Sequence, residues 1–159
     1  MPTRRITLDR TFPATADELW ELWTTPAGIE AWWGPVGFVV SVRSLDLRPG
    51  GTLRYGMTAV DPEMVAFMDR AGMPRTTEST ITFTEVTPPR RLAYSHVVDF
   101  VPGHAPYDVA HLVEIEAVPE GVRLRLTIDA MHDEVWTQRS VQGWEQELGK
   151  LAGVIASRR

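Results

Sequence analysis

Apolar and polar residues alternate with a period of two along most of this chain, and a period near 3.6 takes over in only a few stretches. From Arg4 to Phe12, Ile6, Leu8, Arg10 and Phe12 fall on one face, with Arg5, Thr7 and Asp9 on the other, which predicts a strand. Phe38 to Arg43 and Thr52 to Ala59 predict a second and third strand, joined by the turn Arg48-Pro49-Gly50-Gly51. In Ser79 to Val86, Ile81 and Phe83 alternate with Thr80, Thr82 and Thr84. Leu92 to Phe100 sets Leu92, Tyr94, His96, Val98 and Phe100 on one face, and Tyr107 to Val118 does the same for Val109, His111, Val113 and Ile115. The last strand, Val122 to Ile128, opposes Leu124, Leu126 and Ile128 to Arg123, Arg125 and Thr127, so the sheet has one wet side and one buried side.

Helical spacing appears in four places. Thr15-Ala16-Asp17-Glu18 reads as a capping box opening a helix over Asp17–Thr24. Thr25-Pro26 starts a second short helix, which ends at Trp32-Trp33-Gly34-Pro35. Within the irregular stretch Val60 to Thr77, Pro62–Arg70 forms two helical turns capped by Asp61, with Met64, Phe67 and Met68 on one face. Near Asp133 a long closing helix begins, on which Val141, Trp144, Leu148, Leu151 and Ile155 form one apolar stripe. Gly143 and Gly149 each cost that helix roughly 1 kcal/mol against alanine, which predicts a close backbone approach at both.

The layout predicts one α+β domain over residues 1–159: a curved antiparallel sheet of about seven strands wrapped around the C-terminal helix, with two short helices after the first strand. Composition narrows what such a domain does. The absence of cysteine removes disulfides, thiolate nucleophiles and Cys-ligated zinc. A net charge of −5 argues against nucleic acid as partner. Met1-Pro2-Thr3-Arg4-Arg5 precedes no apolar core of an export signal, and no run reaches the ~20 apolar residues of a membrane span, so a cytoplasmic protein is expected.

Phe12-Pro13-Ala14, Leu19-Trp20, Trp32-Trp33-Gly34-Pro35, Pro49-Gly50-Gly51, Pro88-Pro89-Arg90-Arg91-Leu92 and Gly143-Trp144-Glu145-Gln146-Glu147-Leu148-Gly149-Lys150-Leu151 occur in this order. With the order of elements, they make the chain resemble the START-like (SRPBCC) helix-grip superfamily. Within it the chain resembles the branch related to the C-terminal domain of the heat-shock protein 90 ATPase activator. The resemblance implies the helix-grip fold and three functional readings: apolar-ligand binding, polyketide-cyclase-like catalysis, and a chaperone contact. It implies no shared catalytic motif. The activator itself carries a further N-terminal domain for which these residues leave no room.

The leading expectation is a cavity of ~300–1,000 Å³ between sheet and closing helix, holding an apolar or aromatic small molecule. Tyr55, Met57, Phe83, Tyr94, His96, His111 and Trp144 are its expected lining, and Met64, Phe67 and Met68 its adaptable lid. His96 and His111 are the candidate general bases; paired across the ladder, their β-carbons would lie within ~5.5 Å. The same residues also read as core histidines bonded to Tyr94, Tyr55 or the backbone. Of the tryptophans, Trp20 and Trp23 are expected to plug the end of the sheet, and Trp32 and Trp33, if the pair is extended, to point opposite ways and leave one exposed at an opening. Asp99, His104, Asp108 and His111 match no metal-ligand spacing, and neither a metal nor a cofactor is expected. His104 is expected in solvent. A homodimer is common for such domains, though no residue here encodes it.

Overall fold

The alternating segments pair into a seven-stranded antiparallel sheet in the computed structural model, which describes residues 4–99 and 101–159. The elements run β1 (Arg5–Phe12), α1 (Ala16–Thr24), α2 (Pro26–Trp32), β2 (Phe38–Leu45), β3 (Thr52–Ala59), α3 (Pro62–Arg70), β4 (Thr76–Thr87), β5 (Arg91–Val98), β6 (Tyr107–Val118), β7 (Gly121–Asp129) and α4 (Glu134–Ser157). The sheet order is β1-β7-β6-β5-β4-β3-β2. The first two strands therefore form opposite edges, and α1 and α2 carry the chain from one edge to the other. Phe100, expected on the buried face of the fifth strand, and Met1 to Thr3 lie outside the described residues.

The faces fall as the alternation requires. Leu8 and Phe12 of β1, and Val122, Leu124, Leu126 and Ile128 of β7, are buried, while Arg123 and Arg125 of β7 face outward. Arg123 and Arg125 reach Asp9 across the outer face, at 3.4 and 3.2 Å. The register slips between Val42 and Ser44 and between Phe83 and Glu85, the kind of irregularity that bends a sheet.

Thr25 serves both short helices. Its backbone N–H ends α1 on the Glu21 carbonyl, and its hydroxyl oxygen accepts the Gly28 N–H at 3.0 Å to start α2. Only half of the expected capping box forms. The Thr15 hydroxyl accepts the Glu18 N–H at 3.1 Å, but the Glu18 carboxylate turns to Arg158 and Arg159 at the end of α4. Those guanidiniums are better partners for a carboxylate than one neutral amide.

Asp133 caps α4 through the Trp136 N–H at 2.8 Å. Leu148, Leu151 and Ile155 are the buried part of its stripe. Ion pairs tie it down along its length: Arg4 with Glu134, Arg10 with Glu145, and Arg158 with Glu21. No helix of the described residues is long and apolar enough to cross a membrane.

The glycines of α4 overturn an expectation. A Cβ added at Gly143, Gly149 or Gly153 would have no other atom within 4 Å, so no backbone approaches there. Their cost in helix propensity is therefore uncompensated by packing. Gly149→Ala and Gly153→Ala, both at exposed helical positions, are each expected to raise stability by about 0.5–1 kcal/mol. Urea unfolding of the single variants checks this; an unchanged or lowered midpoint would refute it.

Candidate functional site

The residues of interest meet where α2 runs under α4. Trp33 closes α2 by donating its N–H to the Ile29 carbonyl at 3.0 Å. Gly34 follows with a φ of 90°, a left-handed conformation that side chains resist, and turns the chain into Pro35. Three consecutive-turn side chains of α4 hold this bend. Glu147 accepts the Gly34 N–H at 2.8 Å, and Gln146 accepts the Val36 N–H at 3.2 Å. Lys150 donates to the carbonyls of Gly34 at 2.8 Å and Trp33 at 3.3 Å.

Behind the bend lies an aromatic cluster. Trp23 meets Trp32 edge-on with ring centres 4.7 Å apart and stacks on Trp144 at 6.0 Å. Trp33 meets Tyr55 edge-on at 5.5 Å and sits 6.3 Å from Tyr94. Tyr94 stacks on His111 at 4.8 Å with planes 10° apart. Trp32 and Trp33 are both buried, contrary to the expectation that one is exposed. α2 continues through Trp32, so the pair is not extended and does not point to opposite sides.

Burial controls the charge state here. It pushes the Glu147 carboxyl up to about 7, against the opposing pull of the Gly34 N–H and the Lys150 ammonium. Glu147 as a residue is partly buried, and desolvation of its carboxylate dominates. Burial, followed by the proximity of His96, pushes His111 down to about 3. Burial also lowers His96, opposed by the charge of Asp99. The phenols of Tyr55 and Tyr94 are raised, first by burial and further by the nearby Glu147 charge. At neutral pH both histidines and both phenols are uncharged, and Glu147 alone sits near its midpoint.

His111 Nδ1 lies 3.1 Å from the Val109 carbonyl, so that nitrogen carries the proton and Nε2 keeps its lone pair. Among the described residues, three buried side-chain polar atoms have no hydrogen-bond partner: Trp23 Nε1, Trp33 Nε1 and the Tyr94 hydroxyl. The Trp23 N–H approaches the Tyr94 hydroxyl closely enough to favour its ionised form without reaching hydrogen-bond geometry. Trp32 differs, donating its Nε1–H to the Leu22 carbonyl at 2.8 Å.

Of the expected lining, Tyr55, Phe83, Tyr94 and His111 are buried, and Met57, His96 and Trp144 partly so. Tyr55, Met57, Phe83, Tyr94 and Trp144 belong to one packed cluster, and His111 lies against Tyr94 and Trp144. Two surface clefts lie elsewhere. One of 460 Å³ is bounded by Pro13, Thr15, Glu18, Gly121 and Arg159, and one of 280 Å³ by Arg4, Ile6, Glu134 and Val141. Neither is lined by any residue expected to form the cavity. On α3, Met68 is buried, Met64 is partly buried, and Phe67 is 53% exposed.

The histidines are not direct cross-strand partners. Tyr94 faces His111 in the ladder and His96 faces Val109, leaving the imidazoles diagonal with centres 6.3 Å apart. No group of metal-ligating side chains occurs among the described residues. His104 is exposed but not isolated: its ring lies 4.3 Å from that of His132, whose Nδ1 is 2.7 Å from the Tyr107 hydroxyl.

Sequence reasoning missed Glu147. The signal was its position, three residues after Trp144 and four before Leu151, which places a carboxyl on the apolar stripe. Lys150 followed from the same spacing.

Residues 13–156 match the family described as Activator of Hsp90 ATPase homolog 1-like protein. Solved structures of the same fold include the AHSA1 protein from Silicibacter pomeroyi, at 21% identity and a TM-score of 0.76 over 98% of this chain and 100% of that one. A protein from Chromobacterium violaceum is similar at 21% identity and TM-score 0.75, over 95% and 96% of the two chains. An AHSA1-like protein from Aeromonas hydrophila matches at 22% identity and TM-score 0.72, over 98% and 94%. No curated protein matches the sequence.

Proposed function

Because the chain belongs to the family of activator of Hsp90 ATPase homolog 1-like proteins, whose helix-grip fold commonly holds hydrophobic ligands, we propose that it binds an apolar or aromatic small molecule between the sheet and α4. The observation that supports this reading is the set of titratable groups buried in the interior. A carboxyl pushed to about 7 and an imidazole pushed to about 3 sit among stacked aromatic rings, where a purely structural core would place hydrocarbon. Tyr94, His96 and His111 would orient the ligand. Entry would pass the Trp33–Val36 bend or α3, with Met64, Phe67 and Met68.

Protein purified gently from its own host is expected to release a small molecule on solvent extraction. Adding that molecule back should shift the indole signals of Trp23, Trp33 and Trp144 in a ¹H–¹⁵N spectrum. If no molecule comes off, and shifts from a panel of small aromatics gather at the two surface clefts or nowhere, the reading is lost.

A catalytic version rests on one observation. Glu147, midway through titration near neutral pH, suits general acid/base chemistry better than a histidine held far below it. Partner binding, including a chaperone contact, is favoured by a different surface. Val39 on the edge strand β2 is 47% exposed, and Val36, beside it in sequence, is 63% exposed.

A further inference from the structure

The two edges of the sheet are finished differently. α2 packs against β2, and its Glu30 accepts an N–H of that edge, from Val42, at 2.8 Å. Along β1, among the described residues, no helix packs in this way. β1 keeps an unbroken register with β7 from Arg5 to Phe12 and contains no proline or lysine, so it lacks the devices that commonly keep an edge from pairing. Its hydrogen-bonding phase is set by the Ala130 N–H, which donates to the Arg4 carbonyl at 2.8 Å. Alternate residues of an antiparallel strand bond to the same side. Arg4, Ile6, Leu8 and Arg10 therefore bond to β7, while Arg5, Thr7, Asp9 and Thr11 aim their N–H and C=O away from the sheet. The Asp9 carbonyl accepts from the Arg10 guanidinium of its own chain at 2.7 Å and keeps a second lone pair.

Side chains define the strand that fits. On the outer face a row of alternating charge crosses the sheet through Asp9, Arg125, Glu114, Arg91 and Glu85, on β1, β7, β6, β5 and β4. The row stops at the free edge on a carboxylate. Four residues before it on the same face stands Arg5, whose side chain is 70% exposed. A second β1, laid antiparallel with Thr7 facing the partner's Thr7, sets Arg5 opposite the partner's Asp9 and Asp9 opposite the partner's Arg5. The same register joins residues whose N–H and C=O both face outward, so the backbone ladder and the charge row continue together. Registers centred on Arg5 or on Asp9 have the right backbone phase but oppose like charges, and those in between leave both charges opposite threonine. At the ends, Arg10 meets the partner's Arg4, each paired within its own chain to Glu145 or Glu134 of α4.

We propose that the free edge of β1 is a docking surface for a second copy of this chain, the two β1 strands pairing antiparallel about Thr7 and joining two seven-stranded sheets into one continuous sheet. The residues that specify this homodimer are visible only once the phase of the strand is known. The assembly is independent of what the interior holds.

Sedimentation velocity of the whole chain over a range of concentrations reads the assembly, and a shift from monomer to dimer is expected as concentration rises. Arg5→Asp sets two carboxylates together at both ends of the pairing and should weaken the dimer by about tenfold or more. Thr7→Pro removes an N–H that β7 does not use, and should weaken it as much with the sheet intact. Asp9→Arg faces the partner's Arg5 and should also be monomeric alone. Mixed with Arg5→Asp it restores both opposite-charge pairs, so the mixture should form a heterodimer that neither variant's monomers match. That recovery separates lost pairing from lost folding; if Asp9→Arg does not fold without its bonds to Arg123 and Arg125, Thr7→Pro decides. A natural chain that stays monomeric at every concentration overturns the proposal. So does a dimer that keeps its affinity in both Arg5→Asp and Thr7→Pro, because its interface then lies elsewhere, and so does a mixture of the two folded charge variants that fails to associate.

Discussion

Glu147→Gln is expected to be more stable than the natural protein at pH 8, and nearly matched to it at pH 5. The folded state holds the Glu147 proton up to about pH 7, whereas the unfolded chain releases it near the ordinary glutamate value of 4.5. Between those values the folded state binds more protons, so its stability falls as pH rises. The difference amounts to about 2–3 kcal/mol between pH 5 and pH 8. Glutamine keeps an oxygen to accept the Gly34 N–H and has no proton to lose. His111 acts with the opposite sign. Its folded value of about 3 lies below the ordinary imidazole value of 6.5, so its contribution is lost as pH falls through that window. The two slopes oppose each other between about pH 4.5 and 6.5, and the glutamine variant should expose the rise contributed by His111 and by His96, which burial lowers in the same sense. Urea unfolding at several pH values reads this directly. A Glu147→Gln effect of the same size at pH 5 and pH 8 would show that Glu147 titrates as an ordinary surface carboxylate.

The second large effect concerns the junction of α1 and α2. A Cβ on Gly28 would lie 2.4 Å from the Glu21 carbonyl oxygen and 2.7 Å from the Leu22 Cα. Both are backbone atoms of α1 and have no rotamer in which to retreat. Gly28→Ala must therefore push α2 away from α1. That strains the Thr25 double cap and the bond from the Trp32 indole to the Leu22 carbonyl. A cost of about 2–4 kcal/mol is expected, at the upper end for overpacking. Gly149→Ala is its internal control, because the same methyl meets open space there. Equal effects of the two substitutions would refute the close helix contact.

What the sequence reveals and what it hides divide along physical lines. The strands were legible because period-two alternation records which face of a sheet is wet. Leu124, Leu126 and Ile128 against Arg123 and Arg125 needed no knowledge of neighbours, and all three aliphatics are buried. The motifs from Phe12 to Leu151 carried the family. Features that depend on two distant segments were not legible. The register of β5 against β6 decided that Tyr94, rather than His96, faces His111. Helix propensity flagged the glycines of α4 but could not say whether anything lay beside them, while the contact at Gly28 drew no notice. The volume of facing rings decided that Tyr55, Phe83 and Tyr94 pack together. Glu147 was visible on the stripe and was passed over because a stripe read for hydrophobicity treats one carboxyl as noise.

Lys150 is the single lysine among 159 residues, and its ammonium is occupied by two carbonyls of the Trp33–Gly34 bend. Acylating reagents thus find one side-chain amine in the whole protein, and its nucleophilicity depends on whether that bend is closed. A dye coupled there would label a known place at unit stoichiometry beyond the chain's α-amino group. The rate of its coupling would count how often the bend lets go.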